Sequence, residues 1–224
     1  MQYRHFLTGS YDGNVRLFDY SQNLLQTVPV HTAAITSAVY VETKSSETKF
    51  IATASHDLTA RLTEVTLSSP NPSSRTLASL HLHTGPLTSV SANSSGSLLL
   101  TSSTDALIGL WDTVIPKVDE VPSEDAPADR KKRRKVDEGE AKPKRKAPTS
   151  VLKSHTARVS KAMFGRDGGK TAVSAGFDST VRTWDVENGV CTHTIVSIFS
   201  IFGFRRDPHL SRRLPQRSLF WISL

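Results

Sequence analysis

Short apolar runs and tight polar turns alternate along most of the chain. In the segment 175–186, AGFDSTVRTWDV, small residues surround Asp178. After this turn, Val181 and Thr183 occupy every second position. An apolar run that ends at Ser174 precedes the turn. Because a period of two indicates a strand, and small residues with Asp reverse the chain, this pattern predicts an antiparallel β-hairpin.

Three further segments, 9–20, 54–65 and 102–113, align with this one without a gap. In each copy a second acidic residue follows the turn Asp by seven positions, and a hydroxyl residue precedes it by four. The turn aspartates are Asp12, Asp57, Asp105 and Asp178, and the hydroxyl residues are Thr8, Thr53, Thr101 and Ser174. Four hairpins with one pattern predict a repeat architecture.

A His-Thr pair stands upstream of three of the hairpins, beginning at His31, His83 and His155. A His, a strand Ser or Thr, the turn Asp and a strand Trp can form one chain of hydrogen bonds that satisfies buried polar groups. Thr63 occupies the aromatic position of the second copy. We therefore expect its chain of hydrogen bonds to be shortened and its packing to be weaker.

We interpret this set as a structural repeat network rather than as a catalytic or metal site. Its predicted members are Thr8, Asp12, His31, Thr53, Asp57, His83, Thr101, Asp105, Trp111, His155, Ser174, Asp178 and Trp184. A Ser-His-Asp enzyme needs one nucleophile, a base and an oxyanion hole in a single cleft, whereas this set recurs in every repeat. The histidines belong to successive repeats without a Cys pair or an acidic cluster, which disfavours a metal. No catalytic residue, cofactor or metal is predicted.

With this pattern the chain resembles the WD-repeat family, in which a repeat of about 40–45 residues builds one four-stranded blade of a β-propeller. Asp12, Asp57 and Asp105 stand about 45 residues apart, as the family requires. The resemblance implies an all-β fold, a partial WD-repeat β-propeller with about four blades of a presumed seven.

The first blade is expected to be truncated, because Phe6–Thr8 already serves as its second strand. We expect the natural chain to begin upstream of Met1. An open array of blades leaves apolar faces at both ends, where repeat proteins need capping units. We therefore expect the chain alone to be a poor independent fold that aggregates.

Charge separates a long insertion from the repeats. The formal net charge is +7, and Pro116–Pro148 is dominated by Pro and charged residues without any aromatic side chain. Such a segment buries too little apolar area to offset the entropy of ordering, so residues 116–150 are predicted to be a disordered charged insertion. Blades are assigned to 1–115 and 151–196, and an anomalous tail without the repeat pattern to 197–224.

Two basic clusters lie inside the insertion, at residues 131–135 and 142–146. Their cationic residues are Lys131, Lys132, Arg133, Arg134, Lys135, Lys142, Lys144, Arg145 and Lys146. Exposed runs of Lys and Arg on a flexible tether suit an acidic import receptor, so we interpret them as a nuclear localisation signal. Two alternatives stay open, a solvated charge-balanced loop and unspecific RNA contact by phosphate neutralisation.

The remaining composition narrows the cellular context. The single cysteine, Cys191, excludes an internal disulfide and suits a reducing compartment such as the cytosol or nucleus. The longest apolar stretch, Ile195–Phe204, is too short to span a bilayer, so no membrane association is predicted.

Three stretches are more distinctive than the generic repeat: Leu7–Asp19, Ile51–Leu62 and Val173–Gly189. With a charged insertion between the third and fourth repeats, they resemble the WD-repeat subunits of the nucleolar Pescadillo and block-of-proliferation complex. The resemblance implies a non-catalytic scaffold in pre-rRNA processing and maturation of the large (60S) ribosomal subunit. It places the chain in the nucleus, in nucleolus and nucleoplasm.

The same resemblance implies partners. The propeller of this family docks on the block-of-proliferation protein, together with Pescadillo and the pre-60S particle. Its ubiquitin-like domain engages the ATPase that releases the complex, and because these residues contain no such domain that contact is in doubt. Alternative functions are an RNA-binding protein acting through the basic insertion and a generic signalling or scaffold propeller of the transducin β type.

Overall fold

The computed structural model describes residues 5–42, 48–66, 73–122 and 142–196. Over these residues the chain forms sixteen β-strands in four sheets and no helix, so the predicted all-β class is confirmed. Each sheet corresponds to one predicted blade of a partial WD-repeat propeller. None of the described residues forms a helix long and apolar enough to cross a membrane.

Blades 1 and 2 come first in the chain. Blade 1 contains, in sheet order, β1 (His5–Gly9), β2 (Asn14–Asp19) and β3 (Leu24–Pro29). Blade 2 contains β4 (Ile35–Val41), β5 (Thr48–Ser55), β6 (Ala60–Thr66) and β7 (Ser73–Leu80). Over the described residues, blade 1 therefore has three strands and lacks the innermost one.

Blades 3 and 4 each have four strands. Blade 3 contains β8 (Leu87–Ala92), β9 (Leu98–Ser103), β10 (Leu107–Asp112) and β12 (Ser150–Lys153). Blade 4 contains β13 (Val159–Phe164), β14 (Thr171–Gly176), β15 (Thr180–Asp185) and β16 (Val190–Val196). The insertion thus connects the third and fourth strands of blade 3. The last blade, predicted over 151–196, begins only at Val159, because β12 pairs with β10.

The remaining strand, β11 (Lys144–Lys146), pairs in parallel with β7 at the outer edge of blade 2. The prediction that residues 116–150 form one disordered segment is therefore wrong for its last part. Polar contacts rather than apolar burial hold this part in place. The Arg145 N–H donates to Asp119 (2.9 Å), and the Glu120 N–H donates to the Arg145 carbonyl (2.8 Å). Residues 123–141 lie outside the described residues.

Apolar cores fill the spaces between neighbouring blades. Val15 and Leu17 of blade 1 pack with Ile51 and Val65 of blade 2. Further cores join blade 2 to blade 3 and blade 3 to blade 4, and each contains a fully buried tryptophan, Trp111 and Trp184 respectively. Because each blade packs its apolar side chains against its neighbours, each interface between two blades contributes separately to stability.

The four hairpin turns share one backbone feature. The residue after each turn Asp has a positive φ, at Gly13 (78°), Leu58 (68°), Ala106 (67°) and Ser179 (60°). This left-handed conformation costs residues with a Cβ about 1–2 kcal/mol. At Gly13 a Cβ would also lie 2.1 Å from the His31 carbonyl oxygen, so only glycine fits there.

Candidate functional site

The repeat network is complete in blade 4. His155 lies before β13, Ser174 is on β14, Asp178 is in the turn and Trp184 is on β15. His155 Nδ1 lies 2.8 Å from Asp178 Oδ2, His155 Nε2 lies 2.7 Å from Ser174 Oγ, and Trp184 Nε1 lies 2.8 Å from the same Oγ. These distances join the four side chains in one line of hydrogen bonds.

The direction of that line follows from the groups at its ends. The Asp178 carboxylate only accepts, so His155 Nδ1 carries the proton and donates to it. Nε2 then accepts from the Ser174 hydroxyl, which in turn accepts from the Trp184 N–H. Every polar atom along the line has a partner.

Blade 3 repeats this arrangement with Thr in place of Ser. His83 Nδ1 lies 3.0 Å from Asp105 Oδ2, His83 Nε2 lies 2.9 Å from Thr101 Oγ1, and Trp111 Nε1 donates to Thr101 over 2.9 Å. Burial lowers the pKa of His83, although the Asp105 carboxylate opposes this shift. His83 therefore stays neutral to a lower pH than a histidine in water.

Blade 2 contains a shortened version. His31 lies 2.8 Å from both Asp57 Oδ2 and Thr53 Oγ1. Among the described residues no indole reaches Thr53, because Thr63 stands at that position and pairs over 3.4 Å with Thr76 instead. The line of network residues therefore ends at Thr53, whose hydroxyl also lies 3.4 Å from the Arg61 carbonyl oxygen.

Blade 1 does not assemble the network over its described residues. Asp12 forms an ion pair with Arg16 at 2.6 Å. It also accepts a hydrogen bond from the Asn14 N–H at 3.0 Å. Thr8 is exposed on β1. The structure therefore does not bring Thr8 and Asp12 into a line like those of the other blades.

Two kinds of donor to the aspartates were missed at the sequence level. The backbone N–H of the Thr in each His-Thr pair donates to the Asp of the same blade, for example Thr156 to Asp178 at 3.1 Å. The hydroxyls of Thr59 and Thr180 donate to Asp57 and Asp178, both at 2.7 Å. The second kind could have been found, because both threonines stand two positions after the turn Asp.

These donors determine the ionisation of the aspartates. Burial alone would raise the pKa of Asp178, but hydrogen bonds from Thr180 and His155 outweigh it and lower that pKa to about 2. Burial alone would also raise the pKa of Asp57. Hydrogen bonds from His31 and Thr59 outweigh burial and lower that pKa well below its usual value. Both carboxylates are charged at neutral pH and stabilised in that form.

The geometry gives each network a packing role. The Thr101 and Ser174 side chains are almost fully buried, so their hydroxyls cannot meet a substrate. Each His is held by the Asp of its own blade, and among the described residues no group of three His, Cys, Asp or Glu side chains could hold a metal ion. The stabilising role of the network members remains a prediction.

The second basic cluster divides between the interior and the surface. Lys146 is buried, and its ammonium donates to Asp112 (2.8 Å) and to the Val114 carbonyl (2.6 Å). Arg145 donates to the Pro122 carbonyl at 3.1 Å, while Lys142 is exposed. The first cluster, Lys131–Lys135, lies outside the described residues. The localisation role of both clusters stays a prediction.

Comparisons with known proteins agree with this architecture. The family described as WD domain, G-beta repeat matches residues 74–112 and 146–185. With the repeated hairpins and the His–Asp lines, this match shows that the chain contains WD repeats.

Among WD-repeat proteins, the chain is similar to fungal proteins called ribosome biogenesis protein YTM1. The relative from Laccaria bicolor is 56% identical over 203 residues, which cover 87% of this chain and 45% of the relative. The relative from Coprinopsis cinerea is 51% identical over 85% of this chain and 44% of its own length. The Saccharomyces cerevisiae protein is 29% identical over 88% of this chain and 47% of its own. The resemblance to a WD-repeat ribosome biogenesis protein is confirmed, and the chain spans about half the length of these curated relatives.

Proposed function

We propose that the chain is a non-catalytic scaffold in nucleolar pre-ribosome assembly, for pre-rRNA processing and maturation of the large ribosomal subunit. The similarity to proteins named for ribosome biogenesis supports this role. The repeat networks of blades 2 to 4 support it as well, because their polar groups bond to one another inside the blade, so contacts with other molecules are left to the exposed residues.

The observation that carries the proposal is a set of exposed apolar side chains at the equivalent turns of three blades. Tyr11 (88% exposed), Leu58 (39%) and Phe177 (37%) all occupy turns between the second and third strands of their blades. Large apolar side chains on a surface mark protein contacts when they are grouped. We name these three residues the turn-end surface.

The partner proposed for this surface is the block-of-proliferation protein, in a complex with Pescadillo on the pre-60S particle. Aromatic residues are enriched at the centres of protein interfaces, because they bury a large area at a small cost in side-chain entropy. Arg158 lies over the Phe177 ring, with 3.4 Å between its Cζ and the ring centroid. That contact holds Phe177 in a fixed orientation for a partner.

A pull-down with the block-of-proliferation protein tests the proposal. Tyr11→Ala with Phe177→Ala should weaken binding by about tenfold or more, since interface aromatics often contribute 2 kcal/mol or above. The matched control is Val114→Ala with Val118→Ala, which removes two side chains that are each 70% exposed and follow the third strand of blade 3. Equal binding by both double variants would refute the turn-end surface as the docking site.

Nuclear localisation is tested separately. Replacing Lys131–Lys135 with Ala in a fluorescent fusion should shift the protein towards the cytoplasm. Lys142→Ala with Lys144→Ala is the second arm, because it leaves the buried Lys146 in place. Unchanged nuclear accumulation in both arms would mean that these clusters do not direct import.

A further inference from the structure

A cavity of about 530 Å³ opens where the outer strands of blades 1 and 2 meet the returning insertion. Val28 and Pro29 of β3 form its apolar wall. Ser74, Arg75 and Thr76 of β7 form the opposite side, and Lys142 and Pro143 approach from the insertion. The cavity depends on β11, because its pairing with β7 brings the two preceding residues to this edge.

The polar lining is strongly cationic. Arg61, Arg75 and Lys142 all line the cavity, whereas none of its described lining residues is acidic. Two carboxylates lie close by. Asp57 is 3.9 Å from Arg61 but is also bound by His31, and Glu64 is the cross-strand neighbour of Arg75. Neither of them lines the cavity, so it keeps an excess of positive charge.

The cations are presented in a way that suits an oxyanion. Arg61 is fixed by donating to the Val30 carbonyl, and its side chain is 25% exposed. A guanidinium that is already held loses little entropy when it binds. Arg75 and Lys142 are exposed, and the Ser74 and Thr76 hydroxyls add neutral donors. Arginine, lysine and hydroxyl groups together are the usual ligands of phosphate oxygens.

The positive charge continues beyond the cavity along the same edge of blade 2. Lys144 and Arg145 of β11 come just after Lys142, and the Asp119 and Glu120 carboxylates accept from the backbone N–H groups of Arg145 and Ala147 at this edge. Burial lowers the pKa of the neighbouring His81, and the charges of Arg145 and Arg61 lower it further. A line of cations suits a polymer that carries one charge per nucleotide better than it suits an isolated acidic side chain.

We propose that this cavity binds a backbone phosphate of single-stranded RNA, with Arg61, Arg75 and Lys142 as its ligands. No aromatic side chain lines the described cavity, so the contact does not stack bases and is independent of sequence. The site goes beyond the scaffold role and does not depend on it.

The test measures binding of a labelled oligouridylate to the whole chain at several salt concentrations, under conditions where light scattering shows no aggregate. Arg75→Ala with Lys142→Ala should reduce the magnitude of the slope of log K against log salt by about 0.7, because one phosphate contact on a single strand contributes about 0.7. Arg61 is left intact, since it also bonds to Val30.

The matched control is Lys153→Ala with Lys161→Ala, which removes the same charge from exposed positions on blades 3 and 4. The control should keep the slope of the unaltered chain. An equal loss in both double variants would overturn the proposal, because it would reflect net charge alone. Absence of RNA binding in low salt, or stronger displacement of the RNA by poly-aspartate than by unlabelled oligouridylate, would also overturn it.

Discussion

Blades 2 and 4 are built from the same repeat but are stabilised by different means. Blade 4 has the complete line from Trp184 through Ser174 and His155 to Asp178. Blade 2 lacks the indole donor, yet it alone among the described sheets gains a fifth strand, β11, on its outer edge. We infer from the comparison that a blade can lose one member of the network when another element supports the same sheet.

The largest expected difference concerns the aromatic position. Trp184→Ala should reduce the free energy of unfolding by about 3–5 kcal/mol, because a fully buried indole leaves a cavity and removes the donor to Ser174. Thr63→Ala at the matching site of blade 2 should cost about 1 kcal/mol. Urea denaturation of the two variants measures this, and equal losses would contradict the distinction between the blades.

Removing the turn carboxylate should have the next largest effect. Asp178→Ala leaves the buried His155 without its acceptor and should cost about 1–3 kcal/mol. Asp12→Ala in blade 1 is the control, since the Asp12 side chain is 43% exposed and pairs with surface groups, so its loss should change stability much less. A melting temperature that Asp178→Ala leaves unchanged would rule out a stabilising role.

The fifth strand of blade 2 can be tested through its buried lysine. Lys146→Ala should cost about 1–2 kcal/mol, because the ammonium is bonded to Asp112 and to the Val114 carbonyl. Lys144→Ala removes the same charge from the start of the strand and should change stability little. Hydrogen exchange at the Ala147 and Arg145 amides should accelerate in the first variant alone, and slow exchange in both would refute the anchoring role.

Acid should destabilise the networks in two steps. The folded-state pKa of His83 is lowered, so the unfolded chain binds the proton more readily and stability falls as pH drops below about 6.5. The pKa values of Asp57 and Asp178 are also lowered in the fold. Their contribution is present above about pH 4 and is lost as pH falls further, towards 2 for Asp178. Melting temperatures from pH 7 to pH 3 check this, and a constant value down to pH 5 would contradict the first step.

The smallest expected effect is a gain. Leu58→Gly should raise stability by about 0.5–1 kcal/mol, because it removes the strain of a positive φ at an exposed position. Leu24→Gly is the control, since Leu24 is an exposed strand residue of β3, and it should lower stability by a similar amount. A loss in both variants would show that the turn of blade 2 is not strained.

The hairpins and the His–Asp pairs could be predicted from the sequence, because both depend on local alternation and on spacings that recur in each copy. The shortened line of blade 2 followed directly from Thr63. β11 could not be predicted in this way, since Lys144–Lys146 has no apolar alternation and its partner β7 lies far away in the sequence. The positive φ at Leu58 was missed because most residues other than glycine avoid that conformation.

The position of the insertion also affects the order in which the chain folds. Thr149, just before β12, stands 37 positions after Asp112 of β10, so blade 3 must close a long loop before its sheet is complete. Loop length itself adds little to the equilibrium cost, since each doubling contributes only about 0.6 kcal/mol, but non-local pairing slows folding. When β11 docks on β7, it brings the returning chain close to β10. We therefore expect blade 2 to act as a template on which its neighbour finishes folding.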